Sequence, residues 1–333
     1  MTNRERFLAV LNGKKPDDRL PCVEWASWWD LTLNRWHGEG LDPKLTGKAL
    51  FEALGLDDLR QFWFRHTAPG CPQPASHGAA IMEDEADYEK IKPFLYPEHA
   101  NDEALEEMRR IEPQHAKGEF ALWYTLEGAF WFPRTLFGIE GHFYSFYDYP
   151  ELYHRICEDL AEWQLKLLDK IYAICTPDFM TIAEDMSYNN GPMISEALFD
   201  EFLAPYYRKI TQYVRDHGTK VIIDSDGDIT MMVPWLKRVG IEGILPLECQ
   251  AGVNIPHLRK MHPDFILMGG FDKMVMKNGE SAMRNEFERI FPVMQSGYYI
   301  PSVDHQTPPD VSLENYHIYV RLLHEYAERA AKM

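Results

Sequence analysis

The sequence predicts an α/β protein, a single (β/α)8 TIM barrel with an inserted, lid-like segment in its N-terminal third. Three observations point there. From residue 151 onward, short apolar runs alternate with stretches of helical spacing, the pattern of a parallel sheet with right-handed crossovers. No Gly-x-Gly-x-x-Gly turn follows the first apolar run, which favours a closed barrel over an open dinucleotide-binding sheet. Five apolar runs also end in acids: Glu184-Asp185, Asp224 to Asp228, Glu248, Asp272, and Asp304 followed by His305. In a parallel barrel such ends share one rim, and that rim is where active sites form.

Thr2-Asn3-Arg4-Glu5 reads as a capping box that opens a short helix through Phe7, Leu8, Val10 and Leu11, stopping near Gly13. Leu20–Trp25 is the first strand expected, followed by an aromatic stretch with Trp28, Trp29 and Trp36. Asp58–Phe64 and Glu119–Tyr124 are the second and third. Between them, residues 66–118 are rich in Pro, acids and turn formers, with a helix over Asp102–Ile111; this excursion reads as an insertion or lid. A helix over Glu151–Cys175 then precedes a strand over Asp178–Ala183. Ser195 caps a helix that runs to His217. Strands are expected at 220–224, 243–248, 265–269 and 298–303, separated by helices at 229–238, 255–261 and 281–296. Ser312–Lys332 closes the chain as a helix, with Leu313, Tyr316, Val320, Leu323 and Tyr326 on one face. No Pro/Gly/Ser linker divides the chain, so residues 1–333 form one domain.

The balance of charge limits the function. A net charge of −18 repels phosphate backbones and anionic bilayers, which argues against nucleic-acid and membrane-surface roles. Five scattered cysteines without a Cys-x-x-Cys pair suit a reducing compartment. The N-terminus has no signal-peptide core and no apolar run approaches the ~20 residues of a membrane span. A cytoplasmic protein with a small-molecule substrate is expected, with self-association into a homo-oligomer left open.

Several carboxylates crowded at one rim cannot all stay ionised and unpaired, so one holds a proton or a cation is shared. Asp224, Asp226 and Asp304, with His305 beside them, supply hard oxygen and nitrogen donors for zinc, manganese or magnesium. The same carboxylates can instead accept hydrogen bonds from a polyol, an amine or a hydroxylated substrate. His305, Glu184 and Asp224 are the catalytic candidates, His305 because its ordinary pKa lies near neutrality. Asp185, Glu248 and Asp272 would bind substrate, together with the phenol and amide of Tyr188 and Asn189 in the following turn. Trp25 and Tyr124 would wall the ligand, and Arg65 or His66 would hold a substrate carboxylate. Each has a structural alternative: acids cap helices in βα loops, aromatics fill cores, and strand neighbours such as Asp304 and His305 face opposite ways.

The segments also resemble a known family. Asn3-Arg4-Glu5-Arg6-Phe7-Leu8-Ala9-Val10-Leu11-Asn12-Gly13, Glu184-Asp185-Met186-Ser187-Tyr188, Phe202-Leu203-Ala204-Pro205-Tyr206, Leu245-Pro246-Leu247-Glu248 and Met268-Gly269-Gly270-Phe271-Asp272 resemble, in order, the uroporphyrinogen decarboxylase superfamily. That superfamily includes corrinoid-dependent methyltransferases, and the resemblance implies the (β/α)8 barrel. Two departures stand out. Decarboxylases carry an Arg-Gln-Ala-Gly-Arg segment where this chain has Glu24-Trp25-Ala26-Ser27-Trp28-Trp29-Asp30. Thiol-methylating members bind zinc through His-x-Cys-Gly, where this chain has Asp224-Ser225-Asp226-Gly227. The resemblance therefore implies methyl transfer between a small polar substrate and a corrinoid- or folate-type carrier, with a corrinoid protein as partner. The alternatives are a decarboxylase or lyase on a small carboxylic acid or porphyrinogen-like substrate, and a non-catalytic metabolite- or cation-binding barrel.

Overall fold

The computed structural model describes residues 1–332. Among the described residues nine strands occur: β1 (Leu59–Trp63), β2 (Ala121–Glu127), β3 (Phe179–Ala183), the short arms β4 (Ser187–Tyr188) and β5 (Gly191–Pro192), then β6 (Lys220–Asp224), β7 (Gly243–Leu245), β8 (Ile266–Phe271) and β9 (Tyr299–Val303). Seven of them form one parallel sheet in the order β1-β2-β3-β6-β7-β8-β9, while β4 and β5 pair as a small antiparallel hairpin. β3, β8 and β9 are buried at every position, as parallel strands covered on both faces must be. The crossover helices cover the outer face. Pro150–Tyr172, for example, turns Leu152, Ile156, Leu160, Leu167 and Ile171 inward at helical spacing.

The sheet curls until its two edges face each other. Gln61 and Trp63 of β1 line the same cavity as His305, which follows β9. The seam between these edges holds residues 20–25, the expected first strand. They join no ladder, so among the described residues the main sheet has seven strands rather than eight. Pro21 lacks the N–H that a ladder needs, and isolated bonds take the ladder's place. Asp57 N–H donates to Cys22 O at 2.8 Å, and Trp25 Nε1 donates to Val303 O at 2.9 Å. Asp57 then accepts Cys22 N–H at 3.0 Å and both arms of Arg19 at 2.7 and 2.6 Å.

The helix Asn3–Leu11 packs on the axis of the curl. Its capping box is present in full: Thr2 accepts Glu5 N–H, and Glu5 accepts Thr2 N–H. Phe7 stacks on Phe179 at 5.5 Å, and Phe179 on Trp123 at 5.0 Å, so an aromatic column runs up to the cavity floor.

Four helices were not anticipated, Asp30–Gly38, Gly47–Leu54, Glu85–Ile91 and Trp131–Asp148. The expected helix 195–217 is broken. Ser195 caps it through Leu198 N–H, a π turn spans Phe199–Leu203, and Ala204–Asp216 continues. Pro205, without an N–H to bond back, accounts for the interruption. β7 stops at Leu245 rather than 248 for the same reason, because Pro246 follows. The segment 66–118 contains helices Glu85–Ile91 and Asp102–Ala116 and is fixed to helix Pro150–Tyr172, with Tyr88 donating to Asp159 at 2.8 Å and Trp163 donating to Pro97 O at 3.0 Å. None of its residues lines the cavity. Among the described residues no helix is long and apolar enough to cross a membrane.

Asp57→Ala leaves Arg19 without its partner and Cys22 N–H without an acceptor at the seam. A loss of about 3 kcal/mol is expected, the cost of breaking a largely buried ion pair, and denaturant unfolding measures it.

Candidate active site

The parallel register places the first acid. Ala183 lies opposite Asp224, so the chain leaves β3 directly beside the Asp224 carbonyl, which accepts Glu184 N–H at 2.9 Å. Asp185 then takes a left-handed conformation (φ 45°), strained for a residue with a Cβ. Its carboxylate accepts Asp226 N–H at 3.3 Å. Gly227 (φ 84°) must be glycine, because a Cβ there would sit 2.7 Å from the Ser187–Tyr188 backbone. Its N–H donates to Glu248 at 3.0 Å, while Ser225 Oγ accepts Met186 N–H at 3.1 Å. The loop after β6 is thus fastened to the ends of β3 and β7.

These turns open onto a cavity of about 270 Å3. Asp185, Asp224 and Asp226 enter it from β3 and β6, with His305 and Gln306 arriving from β9. Trp25, Trp63 and Trp123 also line it, with Gln61, whose amide donates to Thr125 Oγ1 at 2.8 Å. Trp25 meets His305 edge-on at 6.0 Å, and His305 Nε2 stands 3.7 Å from Asp226 Oδ2.

Crowding in a semi-enclosed space sets the protonation. Burial, then the nearby Asp185 and Asp226, push the Asp224 carboxyl well above the usual range. Burial also pushes Asp226 up to about 7, with Asp185 and Glu248 adding to it. Asp185 is raised by burial, against the Asp226 N–H that favours its charged form. His305 is lowered, by burial first and then by Lys273, and is neutral at pH 7.

Donor atoms from Asp185, Asp224 and Asp226 lie within 4.8 Å of one another, as do those of Asp226, Glu248 and His305. Both sets offer only oxygen and nitrogen, which suits a hard divalent ion and not a thiolate zinc site. The expected metal trio is divided. Asp224 and Asp226 come together, but Asp304 is fully buried and already accepts Cys249 N–H at 3.0 Å and Lys273 N–H at 3.1 Å.

Other expected site residues also stand apart. Glu184 points away from the cavity. It accepts Phe130 N–H at 3.0 Å, Trp131 N–H at 2.7 Å and the Tyr207 hydroxyl, and burial raises it to about 8 against those donors. Tyr124 is buried with its hydroxyl 3.1 Å from that of Tyr172. Asp272 caps the turn after β8 through Met274 N–H at 2.9 Å. Tyr188 and Asn189 are exposed at the tip of the β4–β5 hairpin, and Arg65 is exposed outside the cavity lining. His66 faces Glu127 at 3.1 Å. Gln61, Gln306 and Ser27 line the cavity without having been anticipated. Gln61 shares strand parity with Trp63, and Gln306 follows His305, which are the only marks the sequence carries of them.

A curled parallel sheet with a polar cavity at the carboxyl ends of its strands is the layout of barrel-type enzymes. Within that class the chain belongs to the uroporphyrinogen decarboxylase (URO-D) family, whose profile matches residues 72–326. A comparison with curated proteins gave no match. Among solved structures, the fold resembles a methyltransferase from Methanosarcina mazei, at 15% identity over 98% of this chain and 99% of that one, with a TM-score of 0.63. Weaker likenesses include a protein assigned as a vitamin-B12-independent methionine synthase from Listeria monocytogenes (10% identity, 94% and 98% covered, TM-score 0.46). An endo-1,4-beta-mannanase from Rhizomucor miehei is similar at 11% identity (85% and 88% covered, TM-score 0.46). At these identities the likeness is one of fold.

The raised carboxyls make stability fall with pH. Between about pH 4 and pH 7 the unfolded chain releases the Asp226 proton while the folded chain keeps it; above about pH 7 both have released it. At face value the shift corresponds to about 4 kcal/mol, but the side chain is 38% exposed and solvent screens much of this. Asp226→Asn is therefore expected to stabilise the fold by about 1–2 kcal/mol at pH 8, with the gain vanishing near pH 4. Melting temperatures across that range test the sign.

Proposed function

We propose that this protein is a methyltransferase moving a methyl group between a small polar substrate and a corrinoid- or folate-type carrier. The observation that carries the reading is the composition of the cavity wall: three carboxylates and three tryptophans, with no Lys or Arg among the described lining residues. A porphyrinogen bearing eight carboxylates would meet repulsion there, and a small carboxylic acid would find no guanidinium to hold it. Membership of the URO-D family and the fold likeness to a methyltransferase support the same choice.

In this reading the bond from methyl to its heteroatom breaks as the carrier's nucleophile forms a new one, and the electron pair stays on the heteroatom. Asp226, poised near neutrality, would hold or supply the proton that a leaving oxygen needs. Neutral His305, 3.7 Å away, would take part in returning it. Asp224 and Asp185 would orient the polar end of the substrate. The carrier would arrive on a partner protein or as a free coenzyme at the open mouth.

The test incubates purified protein with methylated ethers, thioethers and amines and either a reduced corrinoid or tetrahydrofolate, and follows the methylated acceptor. Asp226→Asn is expected to lower the rate by about 100-fold or more with a neutral oxygen donor. Release of CO2 from a carboxylic acid, with no methylated acceptor from any donor, would overturn the reading.

A further inference from the structure

The cavity is chemically lopsided. Asp185, Asp224 and Asp226 project into it, and among the described residues no hydrogen-bond donor reaches the Asp224 carboxylate. The nearest formal cations are engaged elsewhere. Lys273 Nζ bonds Gln250 at 2.7 Å and Asp304 at 3.4 Å, while Arg134 lies over Trp131 and donates to the Asp185 carbonyl at 3.5 Å. Carboxylates placed so close together lose most of their mutual penalty only when something positive enters.

The aromatic part of the lining indicates what kind of positive group fits. A bare divalent ion takes oxygen and nitrogen ligands and water, and gains little from indole rings. An alkylated ammonium spreads its charge over methyl groups that rest against ring faces while carboxylates balance it from the other side. Trp25, Trp63 and Trp123 supply three such rings, and Trp63 is half exposed with no hydrogen bond to hold it. The space of about 270 Å3 far exceeds what an ion needs. It lies just below the range of about 300–1,000 Å3 that drug-sized ligands occupy, a scale suited to a small organic cation.

We propose that the substrate of this site is a small alkylated ammonium ion, its charged head held between the three tryptophans and the Asp224 and Asp226 carboxylates. Calling it the substrate rests on the methyl-transfer reading; its binding does not.

The experiment is calorimetric titration of the intact, chelator-treated protein with choline and with its uncharged carbon analogue, in which tert-butyl replaces trimethylammonium. Choline is expected to bind about tenfold or more tightly than the analogue, and Trp63→Leu and Asp224→Asn each to weaken choline by about tenfold. Melting temperature monitors the fold of each variant, and Trp63, being half exposed, is replaceable without disturbing the core. Equal binding of the two ligands, or binding of neither, overturns the proposal. So does tight Mn2+ binding that requires Asp224 and excludes choline, because the site would then belong to a metal. Charge discrimination without methyl transfer would sink the functional reading alone. Methyl transfer from a neutral donor without charge discrimination would sink this one alone.

Discussion

The pairing of β3 with β6 in parallel register is the constraint on which the site depends. It sets Ala183 opposite Asp224, so the residues that follow Ala183 emerge beside a carboxylate and have to turn. Asp185 turns through a left-handed backbone that a residue with a Cβ adopts at some cost. Asp226 is brought alongside by Gly227, at a point where the chain runs too close to the hairpin for any side chain. Three acids thereby share a space in which full ionisation is unfavourable. Such an arrangement opposes folding, and it persists only because the sheet and its buried strands over-determine it.

The same strand ends also supply the scaffold. The two residues that follow β3, and the two that follow β9, divide their labour as the chain bends away from the strand end. Glu184 turns back to hold the N–H groups at the start of helix Trp131–Asp148, where a carboxylate is favoured by the helix dipole, while Asp185 enters the cavity. Asp304 joins the loop after β7 to the turn after β8 through Cys249 and Lys273 N–H, while His305 enters the cavity. A change at Glu184 or Asp304 would therefore reach the cavity through the position of a helix or loop.

This division explains what the sequence disclosed and what it withheld. The rim was legible because acids at the ends of successive strands form a pattern independent of geometry. Strands 220–224 and 298–303 and helix 255–261 were legible because buried parallel strands and amphipathic helices have separate periods. Which acid of each pair faces the cavity depends on where a strand ends and the chain bends, as the positive φ of Asp185 shows. The seam at residues 20–25 misled for a related reason. Its apolar composition is that of a strand, but Pro21 and the Arg19–Asp57 pair give it side-chain anchors in place of a ladder. Gln61 was missed because a lone glutamine in an apolar run carries no periodic signal; its place follows from standing opposite Trp123 in the β1–β2 pairing, with its amide donating to Thr125.

Asp224-Ser225-Asp226-Gly227 stands where thiol-methylating relatives, by the resemblance of their motifs, place His-x-Cys-Gly, and the structure gives that replacement a physical meaning. The glycine is kept for a backbone reason, the close approach to Ser187 and Tyr188. The two ligand positions are kept as positions, since Asp224 and Asp226 both reach the cavity. What changes is the softness of the groups they offer: hard carboxylates in place of imidazole and thiolate, in a cavity that tryptophans also line. A thiolate activated by zinc is a nucleophile's site. A pair of carboxylates in a cavity lined by indoles suits a positively charged or strongly polar group, and on the proposed reading that group would be the electrophile of a methyl transfer.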